Sequence, residues 1–203
     1  MESILTPLLN SPKLPDYVAQ LNKILADEEQ KRTDFYEWLD ENTKAEFLQG
    51  EILIHSPARS AHIKVLQKLQ FIILPFVQQY NLGTLYAEQA LIRLKRSDVM
   101  PDLCFWSTEK AANFTDDTTL FPVPDFIVEI LSESTAANDR GKKKEEYALN
   151  GVSEYWIIDA DKKEIEQFVL QRDDYNLNEK LQHGTVRCTV LHGLEIPLLN
   201  IFE

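Results

Sequence analysis

Residues 124–159 read PDFIVEILSESTAANDRGKKKEEYALNGVSEYWIID. The stretch opens with Phe126–Leu131, an apolar run rich in β-branched and aromatic residues, which predicts a strand. Because residues at both odd and even positions of the run are apolar, we expect both faces of this strand to be buried, as in the centre of an α/β sheet. Glu129 does not suit such a strand, since a buried carboxylate is costly unless it is paired or binds a metal. A lysine-rich helix and a second strand over Tyr155–Asp159 are predicted to follow.

Composition indicates an ordinary globular protein. The chain has 203 residues, of which 44% are hydrophobic and 27% charged, enough for one domain with a substantial core. The net charge of −12 argues against nucleic-acid binding by the whole surface, but it leaves room for a local basic strip or an acidic metal site. Cys104 and Cys188 lie far apart in apolar runs, so we expect reduced core residues and a cytoplasmic location. No signal peptide or membrane span is expected.

The N-terminal part predicts an extension ahead of the main domain. Residues 1–16 carry three prolines and no clear period, which indicates an arm. Residues 17–40 show helical spacing that is interrupted by the charged segment Asp27–Arg32, which predicts two helical pieces. We therefore expect an extension or helix over residues 1–30 and a single domain over 31–203.

The remaining chain alternates strands with helices, and this order predicts a mixed β-sheet flanked by α-helices. The expected elements are a hairpin over 45–55, a helix over 60–80, strands over 84–94, 102–106, 164–170 and 185–191, a loop over 171–184 and an apolar tail over 194–202.

Three acids and a lysine are candidates for chemistry. Asp102 and Glu129 are predicted on two neighbouring strands, and Glu51 begins an earlier one. Lys143 lies four residues after Asp139 on the following helix, and hence on the same helical face. Two such carboxylates can hold Mg²⁺, which keeps most of its waters and acidifies one of them for attack on a phosphodiester. A nearby lysine can orient that water or neutralise the phosphate, and Glu51 could complete the ligand set.

These residues resemble the signature of the PD-(D/E)xK nuclease superfamily. More closely, the chain resembles the Uma-two family of restriction endonucleases. The matching stretches are AEFLQGEILIHSP (45–57), SAH (60–62), MPDLCFW (100–106), PDFIVEILSEST (124–135), DRGKKKEEYALNGVSEYWIID (139–159) and LHGLEIPLLNIF (191–202). The resemblance implies a restriction-endonuclease-like α/β fold with a mixed β-sheet flanked by α-helices. It also implies a phosphodiesterase site that uses Mg²⁺, with Mn²⁺ as a substitute, held by Asp102 and Glu129.

The chain departs from the superfamily pattern at one position. Where a strand lysine is expected two residues after the acid, this chain has Leu131. Leu131 points to the same side as Glu129 in an alternating strand. The lysine must then come from the helix, and Lys143 is the residue that aligns with the family feature.

Each candidate also has a structural interpretation. Asp102 could be a strand-entry residue after a turn proline, Glu129 half of a structural ion pair, Lys143 part of a solvated helix start, and Glu51 an exposed hairpin residue. Arg59, His62 and Arg140 are candidates for contacts with the substrate backbone, although His62 could equally cap a helix.

The function predicted from the sequence is hydrolysis of DNA by a Mg²⁺-dependent endonuclease. Nucleases that cut both strands are often two-fold dimers, so a homodimer is expected. The alternative is a non-catalytic oligomeric binding protein that keeps the nuclease fold. The acidic net charge and the missing strand lysine favour this alternative.

Overall fold

The structure is a computed structural model that describes residues 5–203. This part of the chain forms seven helices and thirteen strands. The helices are α1 (Thr6–Leu9), α2 (Leu14–Trp38), α3 (Ser60–Gln79), α4 (Thr108–Ala111), α5 (Ala136–Arg140), α6 (Lys142–Leu149) and α7 (Leu199–Phe202). The strands are β1 (Ala45–Leu48), β2 (Glu51–Ile54), β3 (Gly83–Ala87), β4 (Leu91–Arg93), β5 (Ser97–Val99), β6 (Leu103–Ser107), β7 (Leu120–Phe121), β8 (Phe126–Ile130), β9 (Glu154–Asp159), β10 (Glu164–Gln171), β11 (Asp174–Leu181), β12 (Thr185–Arg187) and β13 (Glu195–Pro197).

A six-stranded mixed sheet forms the centre of the fold. Its strand order is β11-β10-β9-β8-β6-β3. The predicted buried strand, β8, lies between β9, to which it is parallel, and β6, to which it is antiparallel. A second sheet has the order β2-β1-β5-β4-β7, and β12 pairs with β13. The expected mixed sheet with flanking helices is therefore confirmed.

Alternation along the central strands separates two cores. Leu103, Phe126 and Val128 pack on one face with α3, whose buried residues recur at helical spacing. Cys104 and Ile127 pack on the other face with residues of α6. Glu129 lies two residues after Ile127 in the same strand, so its side chain also lies on the α6 side of the sheet. This placement decides which helix can supply a partner for the carboxylate.

One continuous helix spans the segment that was expected to break. Helix α2 runs from Leu14 to Trp38 through the charged stretch 27–32, and it crosses the expected boundary between residues 30 and 31. Arg32 explains the continuity, because its guanidinium is buried and contacts Asp98 at 2.7 Å. The ion pair between Arg32 and Asp98 thus attaches the helix to the second sheet, because Asp98 lies in β5. The expected N-terminal arm includes residues 1–4, which lie outside the described residues.

Two further predictions are wrong in detail. The polar segment 171–184 was expected to be a loop, but β11 pairs there with β10 as an exposed edge strand. The expected single strand over 84–94 divides into β3 and β4, which belong to different sheets. The chain turns between them at Glu88, whose φ is 67°. Polar edge strands and short breaks leave little periodicity in a sequence.

The hairpin and the long helix are confirmed. Gln49 and Gly50 connect β1 and β2, and both have positive φ, as a two-residue hairpin turn requires. Helix α3 continues through Pro75. Within residues 5–203, no helix is both long and apolar enough to cross a membrane.

Candidate active site

The structure brings Asp102, Glu129 and Lys143 together. Leu103, the first residue of β6, faces Val128 of β8, so Asp102 directly precedes a strand that pairs beside Glu129. Asp102 Oδ2 accepts a hydrogen bond of 2.7 Å from the Ile130 amide, which fixes this carboxylate against β8. Glu129 is therefore held by strand pairing, and Asp102 by its place at the start of β6 and by its side-chain bond to β8.

Lys143 lies at the centre of three carboxylates. It is fully buried on α6, and its Nζ is 2.6 Å from Glu129 Oε1, 3.0 Å from Glu46 Oε1 and 3.4 Å from Asp139 Oδ1. A lysine ammonium has three N–H donors, so these carboxylates can use all of them. The helical lysine lies beside Glu129 on the side of the sheet to which Leu131 also packs.

Glu46 was not predicted as a site residue. It lies in β1 with no exposed surface, where it accepts a 2.7 Å hydrogen bond from the Met100 amide and contacts His55 Nε2 at 3.1 Å. The signal in the sequence was the same as for Glu129, namely an acid inside the apolar run Ala45–Leu48. Its partner Lys143 is 97 residues away, which hides the contact from local patterns.

The acids around Lys143 differ in their ionisation. Burial raises the pKa of Glu129 to about 8, against the opposing effect of Lys143. Burial acts in the same direction on Glu46, but Lys143 and His55 lower the pKa of that carboxyl to about 2. Burial would lower the pKa of Lys143, yet its three acidic neighbours hold it well above the ordinary value. At neutral pH the cluster therefore holds a charged lysine, an ionised Glu46 and a proton on Glu129.

Asp102 has basic neighbours of its own. Its Oδ1 is 3.2 Å from His62 Nε2 and 3.6 Å from Lys44 Nζ. Burial works to raise the pKa of Asp102, but His62, Lys44 and the Ile130 amide together lower it below its ordinary value. Asp102 is therefore ionised at neutral pH, unlike Glu129.

Glu129 has one oxygen with donors and one without. Its Oε1 accepts the Tyr147 hydroxyl at 2.7 Å as well as the lysine. Its Oε2 has no hydrogen-bond partner within residues 5–203. Tyr147 is buried against Tyr155, with ring centroids 5.1 Å apart, so its ring belongs to the core. Its hydroxyl nevertheless orients Glu129.

The other predicted site residues lie outside this cluster. Glu51 is exposed at the start of β2 and forms a surface pair of 3.1 Å with Lys142. Arg140 pairs with Glu166 on the outer part of the central sheet. Arg59 lies at the rim of the site, where it contacts Asp161 at 2.5 Å. Of the three predicted substrate contacts, His62 is the one that touches an acid of the cluster.

A pocket of about 540 Å³ opens onto the cluster. Asp102, Glu129 and Lys143 all line it, together with residues of the segments 42–44, 55–62 and 129–135. A larger depression of about 950 Å³ lies elsewhere on the molecule and is lined in part by residues of the segments 41–43 and 87–89. Its lining includes Asp40, Glu41 and Asp116 but no lysine, arginine or histidine, so it does not suit a phosphate. The smaller pocket is therefore the candidate active site.

The donor set fits a hydrated magnesium ion rather than a protein cage. Across the described residues, no group of three or more His, Cys, Asp and Glu side chains is placed to hold a metal ion by itself. Mg²⁺ commonly keeps several waters and is bound through one or two carboxylates plus phosphate oxygens. Asp102 and the unpartnered Oε2 of Glu129 supply such a pair in one pocket.

A mixed sheet with one acid before a strand, a second acid in the adjacent strand and a lysine on the next helix is an arrangement of the restriction-endonuclease-like nucleases. Comparison with known proteins supports that class. Residues 32–199 match the Uma2 family, described as "Putative restriction endonuclease", and the chain belongs to this family. The resemblance found in the sequence is thereby confirmed.

A solved structure shares the fold. It is titled a putative nuclease belonging to DUF820 from Anabaena variabilis ATCC 29413. The likeness has a TM-score of 0.71 at 16% sequence identity and covers 83% of this chain and 96% of that one. No curated protein matches the chain.

Proposed function

We propose that this chain is a Mg²⁺-dependent endonuclease that hydrolyses phosphodiester bonds in DNA. The observation that carries the proposal is the convergence of Asp102, directly before β6, and Glu129, in the adjacent β8, in one pocket with Lys143. Membership of the Uma2 family supports the reaction class. Magnesium and DNA go beyond that support and rest on the chemistry of the residues.

Asp102 and Glu129 would hold the metal. Bound Mg²⁺ would supply an acidified water and would offset the charge that develops on the phosphate. Asp102 is already ionised, whereas Glu129 must lose a proton before it can bind a cation. The pocket beside it is wide enough for a phosphate group and its waters.

Lys143 would position the attacking water or stabilise the transition state. Glu46 and Asp139 keep its ammonium charged and positioned beside Glu129. On this geometry Glu46, rather than the exposed Glu51, completes the inner acidic set. His55 then acts through Glu46, because among the described residues its Nε2 contacts the Glu46 carboxylate and not Asp102 or Glu129.

The test is cleavage of supercoiled plasmid DNA with Mg²⁺ or Mn²⁺ by proteins purified in parallel. We expect wild type to cut, and Glu129→Gln and Asp102→Asn to lose at least about 100-fold in rate. Lys143→Met should lose a comparable factor. Glu51→Gln, an exposed glutamate of the same type, is the matched control and should cut normally. Undiminished cutting by Glu129→Gln would remove the mechanism and would point to a contaminating nuclease.

The second candidate is a non-catalytic oligomeric binding protein with this fold. It is favoured by the pairing of the basic groups near the pocket, since Arg59, Lys142 and Lys44 each contact an acid. A thermal shift with Mn²⁺ separates the two candidates, because a ligand that binds only the folded state stabilises it by mass action. A shift in wild type that is lost in Glu129→Gln supports the nuclease. No shift in wild type supports the binding protein.

A further inference from the structure

The N-terminal half of α2 presents apolar side chains that no residue among 5–203 buries. Val18, Leu21, Ile24 and Leu25 are 46%, 53%, 56% and 51% exposed, and none of them belongs to a core cluster of the described residues. This half also lies outside the matched region 32–199. A solvated helix gains most of its stability from burying an apolar face, so an uncovered one requires an explanation.

The apolar residues follow a heptad pattern. Leu14 and Leu21 occupy successive a positions, Tyr17 and Ile24 the d positions, and Val18 and Leu25 the e positions. Apolar a, d and e positions form a stripe wide enough to pack against another helix. The stripe ends at Glu28, which occupies the next a position and forms a 2.6 Å ion pair with Arg96.

The second half of the helix is firmly attached to the domain. Arg32 donates to the carbonyl oxygens of Leu94 and Lys95 in addition to its pair with Asp98. Phe35 is fully buried against Phe47. The apolar half is therefore the part of a continuous helix that precedes this attachment.

We propose that this stripe pairs with the same stripe of a second copy, as an antiparallel two-fold helix pair. Placing Leu14 opposite Ile24 of the second copy puts Tyr17 opposite Leu21 and repeats both contacts by symmetry. The flanking g positions are Lys13 and Asp27, neither of which forms an ion pair among residues 5–203. In the antiparallel arrangement g faces g, so Lys13 of each copy lies within reach of Asp27 of the other.

Other occupants fit this surface less well. A parallel pair would face each g position with an e position of the other copy, so Lys13 would lie beside the apolar Val18 instead of an acid. It would also bring the two domains to the same end of the helices. A lipid surface calls for a basic polar face, whereas residues 13–31 carry three lysines against four acids. A second copy buries the apolar stripe and pairs Lys13 with Asp27 at its edges. It also gives one assembly two active sites.

The test is the mass of the full chain by sedimentation equilibrium across micromolar concentrations, without metal or DNA. We expect a dimer in wild type, and a dissociation constant raised at least about 100-fold by Leu21→Glu, which places a charge in the apolar contact. Ala19→Glu adds the same charge at an exposed f position, on the side of the helix away from the stripe, and should not change the mass. Circular dichroism and the melting temperature show whether each variant remains folded.

A charge exchange tests the antiparallel arrangement itself. Lys13→Glu and Asp27→Lys should each weaken the dimer about 5–10-fold, and the double variant should recover most of the loss. A wild-type monomer at every concentration, or a dimer unaffected by Leu21→Glu, would overturn the proposal. So would a monomer that co-sediments with vesicles of phosphatidylserine and phosphatidylcholine. None of these outcomes depends on cleavage, so a failed nuclease assay leaves the result readable.

Discussion

Two buried glutamates on neighbouring strands show two ways in which a protein can keep a carboxylate inside its core. Glu129 lies in β8 and Glu154 begins the adjacent parallel strand β9, where it faces Phe126. They are 4% and 0% exposed, so burial does not distinguish them. Their partners do.

Glu154 is surrounded by neutral donors on both oxygens. Its Oε1 accepts the Trp156 indole N–H and the Gln167 amide, and its Oε2 accepts the Thr189 amide and hydroxyl, the Val190 amide and the Cys188 thiol, at distances from 2.6 to 3.2 Å. Glu129 has both of its donors on one oxygen and none within residues 5–203 on the other. The complete set of donors around Glu154 suits a structural carboxylate, whereas the oxygen of Glu129 without a donor is available to a ligand.

The largest expected effect is on stability at the structural acid. Glu154→Ala would leave several buried donors unpaired and should lower the free energy of unfolding by about 3–5 kcal/mol. Urea denaturation measures the loss. Glu195→Ala, which removes an exposed glutamate paired with Arg187, should cost less than about 0.5 kcal/mol. If Glu154→Ala were as mild as this control, the distinction between the two buried acids would fail.

The next effect concerns pH. Burial raises the pKa of Glu129 to about 8, so the folded chain holds a proton that the unfolded chain releases near its ordinary value of 4.5. The stability from this group is present in full below pH 4.5 and is lost as the pH rises through 8. In EDTA, the wild-type free energy of unfolding should fall by about 2–3 kcal/mol more than that of Glu129→Gln between pH 6 and pH 9. Parallel pH profiles would contradict the assignment of the proton to Glu129.

The smallest effect is expected at the exposed glutamate. Glu51→Gln breaks a surface pair with Lys142 and should change the free energy of unfolding by less than about 0.5 kcal/mol. Glu46→Gln, in the same hairpin, removes a fully buried partner of Lys143 and should slow cleavage at least about tenfold. Plasmid cleavage compared between these two variants decides which acid of the hairpin belongs to the site. Equal rates would show that burial is a poor guide to function here.

The contrast between the acids also shows what could be predicted from sequence. Glu129 is visible because an acid interrupts an apolar strand, and Lys143 follows from its spacing to Asp139 on one helical face. Glu46 carries the same signal as Glu129, yet the more exposed Glu51 was preferred. The donors to Glu154 could not be foreseen, since four of them come from residues 34 to 36 positions away. Local patterns reveal an acid that requires a partner but not the partner itself.

The fold was predictable where burial is one-sided or complete. The central strands, the hairpin and α3 follow the apolar periodicity, and the family resemblance gave their order. The exposed edge strand β11 carries no such pattern, so it was expected to be a loop. Helix α2 was divided at a charged segment whose arginine proved to be buried. In both places contacts distant in sequence decide the structure, as tertiary context commonly overrides local propensity.

The donors to Glu154 also have a consequence for the order in which the chain can fold during synthesis. Cys188, Thr189 and Val190 follow Glu154 by 34 to 36 residues, and they close around an acid that begins a central strand. During synthesis these three residues leave the ribosome after the strands of the central sheet. The sheet therefore contains an unsatisfied carboxylate until they emerge, and we expect the domain to close only after that point.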